Sequence, residues 1–145
     1  MASARDILAQ KGRNVLSISP AATVLKAAQY MNEFKVGCLV VLVEGRLIGI
    51  LTERDILTRI VACRRDPAET AVEEVMTTDV ICCQHDTSLE EARGVMKNRR
   101  VRHLPVINDD GDLAGLISIG DLNAFMATSQ EHTIHLLHEY IYGHV

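Results

Sequence analysis

Two short stretches of the chain place a hydroxyl and a carboxylate three residues apart, at points where a helix is due to begin: Thr52 with Asp55, and Ser118 with Asp121. A carboxylate just inside a helix N-terminus is a fixed acceptor that can take hydrogen bonds from two vicinal hydroxyls, as in a ribose 2′,3′-diol. Hydrogen bonds to a charged group are worth about 1.5–3 kcal/mol each. A hydroxyl three residues earlier lies beside unpaired backbone N–H groups and the positive helix end, where it can donate to a phosphate. The same spacing is also that of a capping box, in which the two side chains satisfy each other's backbone and bind nothing. A single copy favours the cap. Two copies in matching places, each after a Gly-x-x-x-Gly segment (Gly45 to Gly49, Gly111 to Gly115), favour a ligand.

The matching places belong to an internal repeat. An offset of 65 lays Val15 on Val80, Ala27 on Ala92, Met31 on Met96, Val36 on Val101, Leu39 on Leu104 and Val41 on Val106. One extra residue between Asn108 and Gly111 makes the offset 66, and Gly45, Leu47, Gly49 and Asp55 fall on Gly111, Leu113, Gly115 and Asp121. Each copy reads as strand, helix, strand, strand, helix. A strand (Val15 to Ile18; Val80 to Cys83) leads to a cap at Thr23 or Ser88, the latter with Glu91 three residues on. A one-faced helix follows, carrying Val24, Ala27, Ala28 and Met31, or Leu89, Ala92, Val95 and Met96. A hairpin comes next, Leu39 to Val43 with Leu47 to Leu51, or Leu104 to Ile107 with Leu113 to Ile117, and a last helix starts after Thr52 or Ser118. The expected class is α/β of the α+β kind, with two such repeats packed through their sheets. Repeat 1 spans 15–63 and repeat 2 spans 80–128. Residues 1–14 are an N-terminal helix and lead-in, 64–79 a linker helix, and 129–145 a C-terminal helix. Neither half of some 50 residues buries enough surface to be comfortable alone.

Composition narrows the function. The net charge is −4 and aromatic residues make up 3% of the chain, so there is neither a broad basic face nor a stacking platform for nucleic acid. Lys97, Arg99, Arg100 and Arg102 form the one tight basic group. The longest apolar run, Val36 to Val43, is far short of the roughly 18 residues a membrane span needs. The start of the chain lacks a signal-peptide core. The four cysteines include no C-x-x-C pair, which indicates neither a disulfide framework nor a zinc ribbon. A cytoplasmic protein is expected, with no membrane and no nucleic-acid partner.

The segments Gly45-Arg-Leu-Ile-Gly-Ile-Leu-Thr-Glu-Arg-Asp55 and Gly111-Asp-Leu-Ala-Gly-Leu-Ile-Ser-Ile-Gly-Asp121 resemble the G-x-L-x-G-apolar-apolar-[ST]-x-x-D motif that closes each cystathionine-beta-synthase-type (CBS) domain. Arg102-His-Leu-Pro-Val106 is similar to the stretch that opens the family's second strand, and the likeness covers about Val15 to Ala127. It implies a non-catalytic regulatory module, with AMP, ATP or NAD(H) bound between the repeats as a ligand rather than a catalytic cofactor. Each cleft would take its Asp from one repeat and its base-contacting strand from the other. Asp121 and Ser118, with Ile119 and Gly120, would face Ser17, Ile18, Val36, Gly37 and Cys38. Asp55, Thr52 and Arg54 would face Ile81, Cys82, Arg102, His103 and Pro105. Val40 departs from the pattern, standing where the family often has Pro. The resemblance further implies a homodimer, and an output passed to a separate effector protein of unknown identity.

Other signals weigh less. His132, His135 and His138 fan across about 120° of helical arc, which favours a solvated or dimer-facing helix over a metal site. Cys38 falls in an expected buried strand, and His103 with Asp109 or Asp110 makes no nucleophile-base-orienter set. The rival readings are a purely structural dimerisation module whose Thr/Asp and Ser/Asp pairs only cap helices, and a small hydrolase or metal-dependent enzyme using His103 and the terminal histidines.

Overall fold

In a computed structural model of the chain, residues 1–128 are described. The helix read over Ser129 to Tyr142, with His132, His135 and His138, lies outside the described residues.

The repeat is present in three dimensions. Thr23 and Ser88 cap helices α2 (Val24–Phe34) and α5 (Leu89–Arg99), their hydroxyls accepting from the N–H groups of Lys26 and Glu91. Both helices end in a left-handed residue, Lys35 and Arg100. Each is followed by an antiparallel hairpin, β2 (Cys38–Val43) with β3 (Arg46–Thr52), and β5 (His103–Ile107) with β6 (Leu113–Ser118). The turns explain the extra residue. Glu44 and Gly45 both have positive φ, giving a tight two-residue turn. The second loop is instead organised by Asn108, whose Oδ1 accepts from the N–H groups of Asp110 and Asp112.

The leading strands are shorter than expected. They are β1 (Ser17–Ile18), parallel to β2, and β4 (Cys83–Gln84), parallel to β5, completing sheets of order β1-β2-β3 and β4-β5-β6. Their different starts have a cause in the middle strands. The Val40 N–H donates to Leu16 O at 3.2 Å, which draws β1 in early. The equivalent residue in β5 is Pro105, which has no N–H, so pairing begins only at Cys83 opposite Val106. This leaves Ile81, the counterpart of Leu16, outside the sheet.

Two apolar cores result. One joins Val24, Ala27, Met31, Leu39, Val41, Leu51 and Ile60 with Val72 and Val75 of the short linker helix α4 (Val72–Val75). The other joins Leu89, Ala92, Met96, Leu104, Val106, Ile117 and Leu122 with Ala4, Ile7 and Leu8 of α1 (Ala4–Lys11), so the first helix of the chain packs on the second repeat. The second motif glycine of each repeat permits this crossing. A Cβ on Gly115 would lie 2.6 Å from Leu8 Cδ2, and one on Gly49 would lie 2.5 Å from Met76 Sδ and 3.1 Å from Thr77 O. The closing helices differ. Ser118 leads into α6 (Ile119–Ala127), whereas α3 (Glu53–Ile56) widens into a π-helical stretch, Leu57–Val61. There the Thr58 hydroxyl donates to Arg54 O at 2.8 Å, a side-chain bond of the kind that bends a helix.

Candidate functional site

The hydroxyl–carboxylate pairs both form reciprocal caps. The Thr52 N–H donates to Asp55 Oδ2 at 3.0 Å while the Asp55 N–H donates to Thr52 Oγ1 at 3.2 Å. At the second site the Ser118 N–H donates to Asp121 Oδ2 at 2.8 Å and the Asp121 N–H to Ser118 Oγ at 3.0 Å. Asp55 therefore gives Oδ2 to its own backbone and Oδ1 to a neighbouring side chain, whereas Asp121 Oδ2 serves both its own backbone and a neighbouring side chain. The helix starts are tied to the residues just ahead of the middle strands by another repeated bond, Glu53 N–H to Gly37 O at 3.0 Å and Ile119 N–H to Arg102 O at 2.9 Å.

The surroundings of the two carboxylates are not alike. Asp55 is buried, 8% exposed, and its Oδ1 accepts from the Thr77 hydroxyl at 3.3 Å with the Arg59 guanidinium 3.9 Å away. Arg59 is held in place by donating to Val75 O and Met76 O. Asp55 forms one wall of a cleft of about 1320 Å³ between the repeats. Thr52, Arg54, Glu53, Ile50, Leu57 and Gly37 line it from the first repeat. Thr77, Asp79, Val80 and Ile81 line it from the linker and the lead-in of the second, and Met96, Val101, Arg102, His103 and Ile119 from the second repeat itself. Arg93, Lys97 and Arg100 complete the rim. Ile81 reaches this wall because Pro105 offers it no strand bond.

Asp121 instead meets a cation. Lys11 Nζ donates to Asp121 Oδ2 at 2.6 Å and to Leu116 O at 2.8 Å. Burial would raise the Asp121 carboxyl, but the Lys11 hydrogen bond and the Ser118 N–H outweigh it and hold the group below its ordinary range. The equivalent residues Cys38 and His103 feel these charges. Burial, then the Asp55 charge, pushes the Cys38 thiol up to about 12 despite Lys11. Burial and then Lys11 push His103 down, against Asp121 and Glu53. Both side chains are uncharged at neutral pH, so neither is an activated nucleophile. Burial likewise raises Cys82, and raises Cys83 to about 11.

The geometry thus gathers Thr52, Arg54, Asp55, Ile81, Arg102 and His103 around one cleft, and adds Gly37 and Ile119, which the sequence reading set on the Asp121 side. Val36 and Gly37 line a smaller groove beside α2. Ser17, Ile18, Cys38, Cys82, Pro105, Ser118, Gly120 and Asp121 line neither opening. Among the described residues no group of three or more His, Cys, Asp or Glu is placed to hold a metal, and no helix is long and apolar enough to cross a membrane.

The family model of the CBS domain matches residues 4–62 and again 72–128, taking in the helix ahead of each repeat. The chain is a pair of CBS domains. It is 37% identical over 122 residues to the CBS domain-containing protein YhcV of Bacillus subtilis, covering 84% of each chain. With CBSCBSPB1 of Arabidopsis thaliana it is 42% identical over 105 residues, but it spans only 19% of that longer protein. The solved structure of a protein with CBS domains from Burkholderia ambifaria superposes with a TM-score of 0.84 at 36% identity, over 89% of this CBS pair and 96% of that chain. A fold-level likeness, at 24% identity and a TM-score of 0.77 over 94% of this chain and 98% of the other, is to the CBS domain protein PAE2072 of Pyrobaculum aerophilum complexed with AMP.

The sequence reading of this CBS pair missed Thr77, Ile50, Val80, Lys97 and Arg100 of the cleft and, beside Asp121, Lys11. Carrying the offset of 65 upstream of Val15 makes Lys11 and Gly12 the equivalents of Met76 and Thr77, but that spacing does not show that either lead-in reaches a carboxylate.

Proposed function

We propose that this CBS pair is a non-catalytic regulatory module that holds an adenine nucleotide, AMP or ATP before NAD(H), in the cleft walled by Asp55. The observation that carries the reading is the composition of that cleft, which draws complementary groups from both repeats. Ile50, Val80, Ile81 and Ile119 offer an apolar wall to a flat base, Asp55 an acceptor to the ribose diol, and Arg54, Lys97, Arg100 and Arg102 cations to phosphate. The diol displaces the Thr77 hydroxyl from Asp55 Oδ1, like for like. The AMP complex of PAE2072 supports the choice of ligand class.

A ligand gripping both repeats acts by favouring the arrangement that it binds better, and only to that extent. A homodimer follows from the same reading. Leu57 and Val61 on the helix after Asp55 are 60% and 62% exposed and give it an apolar seam. The signal then passes to a separate effector protein.

One observation favours the rival, structural reading: both carboxylates cap their own helices. Thermal denaturation with AMP, ADP, ATP, NAD, NADH and S-adenosylmethionine separates the two. A ligand at about 100 times its dissociation constant adds about 2.7 kcal/mol, and Asp55→Ala removes that gain. If none of the six shifts the transition, the structural reading stands.

A further inference from the structure

The junctions in which each lead-in meets the opposite motif are built from equivalent positions with unlike side chains. Thr77 pairs its backbone with Ile50 in both directions, at 2.9 and 3.0 Å, and its hydroxyl donates to Asp55. The counterpart of Thr77 is Gly12, which has no hydroxyl and whose N–H goes to Leu8 O at 2.8 Å. The neighbouring Lys11 fills both roles. Its ammonium donates to Leu116 O, the counterpart of Ile50, and to Asp121 Oδ2, the counterpart of Asp55. A hydroxyl on a carboxylate gives way to a ribose hydroxyl in an exchange of equals. Both bonds are charge-assisted, but only the ammonium is also the carboxylate's counter-ion, and a neutral diol that displaces it leaves the carboxylate without one.

We infer that Lys11 is a specificity-determining residue that closes the Asp121 side to ribose, so that each chain takes one nucleotide, on Asp55. This rests on the nucleotide reading above. It also settles by chemistry what the repeat symmetry leaves open, whether one or two sites are filled.

Calorimetric titration of the whole chain with AMP tests it. The wild type binds one AMP per chain; Asp55→Asn abolishes binding and Asp121→Asn leaves it intact. Lys11→Met raises the count to two, Lys11→Arg keeps it at one, and Lys11→Met with Asp121→Asn returns it to one. Removing a cation weakens attraction for an anion everywhere, so a second AMP site gained on losing Lys11 is no general charge effect. One site in both wild type and Lys11→Met, two sites in the wild type, or a single site that depends on Asp121 rather than Asp55 overturns the inference while the nucleotide reading survives. No binding by either the wild type or Lys11→Met overturns both.

Discussion

The Asp55 and Asp121 junctions share a backbone plan and differ in what completes it. In both, a reciprocal cap fixes the carboxylate, a backbone bond ties the helix start to the residue just ahead of the middle strand, and a glycine lets the other lead-in cross. At Asp55 a neutral hydroxyl closes the arrangement beside an open cleft, whereas at Asp121 an ammonium closes it by an ion pair. Duplication therefore preserved the parts that set main-chain geometry and left free those that decide chemistry. The same contrast runs along the middle strands, where Cys38 and Val40 in one repeat answer to His103 and Pro105 in the other.

The strongest way to break the comparison is at the crossing glycines. A methyl on Gly49 meets Met76 Sδ at 2.5 Å and the Thr77 carbonyl at 3.1 Å, and a main-chain oxygen held by Ile50 cannot swing aside. On Gly115 the three nearest atoms it meets all belong to the Leu8 side chain. Gly49→Ala is expected at the upper end of the roughly 1–3 kcal/mol that overpacking costs, and Gly115→Ala near the lower end. Urea unfolding of the two variants checks the order, and equal losses would show that Leu8 is as rigid as the Thr77 backbone.

Next in size is the ligand itself. At saturating AMP, about 100 times the dissociation constant, Asp55→Asn loses about 2.7 kcal/mol of induced stability that Asp121→Asn keeps. Thr77→Val then sharpens the picture. It strips Asp55 Oδ1 of its hydroxyl donor and costs the unliganded protein about 1 kcal/mol. A ribose that supplies the missing donor recovers this, so AMP binds about five-fold more tightly than to the wild type. Weaker binding would instead make Thr77 a ligand contact in its own right.

How much of this was legible in the sequence follows from which contacts are local. The caps at Thr23, Thr52, Ser88 and Ser118 and the hairpins were readable because a cap or a turn is decided within four residues. The paired Thr/Asp and Ser/Asp motifs stood out because the repeat supplied its own control. The late start of pairing beside Pro105 could have been read from its missing N–H, and it accounts for Ile81 lying outside the sheet at the cleft while Leu16 is tied to Val40. Lys11 was not legible from spacing, since its partner lies 110 residues away and α1 packs on the repeat it does not precede. The π-helical stretch after Asp55 also escaped, because Ile56, Leu57, Ile60 and Val61 keep a helical spacing whether the turn closes on four residues or five.

The smallest expected effect is one of pH, and it separates the repeats through Cys38 and His103. The Cys38 thiol, pushed up to about 12, stays neutral throughout the working range. His103 is held below its ordinary 6.5 by burial and by Lys11, so around that pH the unfolded chain binds more protons than the folded one. Its contribution to stability is complete above pH 6.5 and is lost as pH falls through the lower folded value. Asp121, also held low, adds a separate loss only in the carboxylate range, beneath its ordinary 3.8. Solvent screening keeps each effect to a fraction of about 1 kcal/mol. Denaturation midpoints taken from pH 7.5 to 5 should fall in the wild type, hold nearly level in His103→Gln, and fall unchanged in Cys38→Ser. Lys11→Met should flatten the same slope in part, because losing that ammonium lets His103 rise toward its ordinary value and Asp121 with it. A slope indifferent to Lys11 would mean that the ammonium does not reach His103, and the asymmetry of the two sides would need another source.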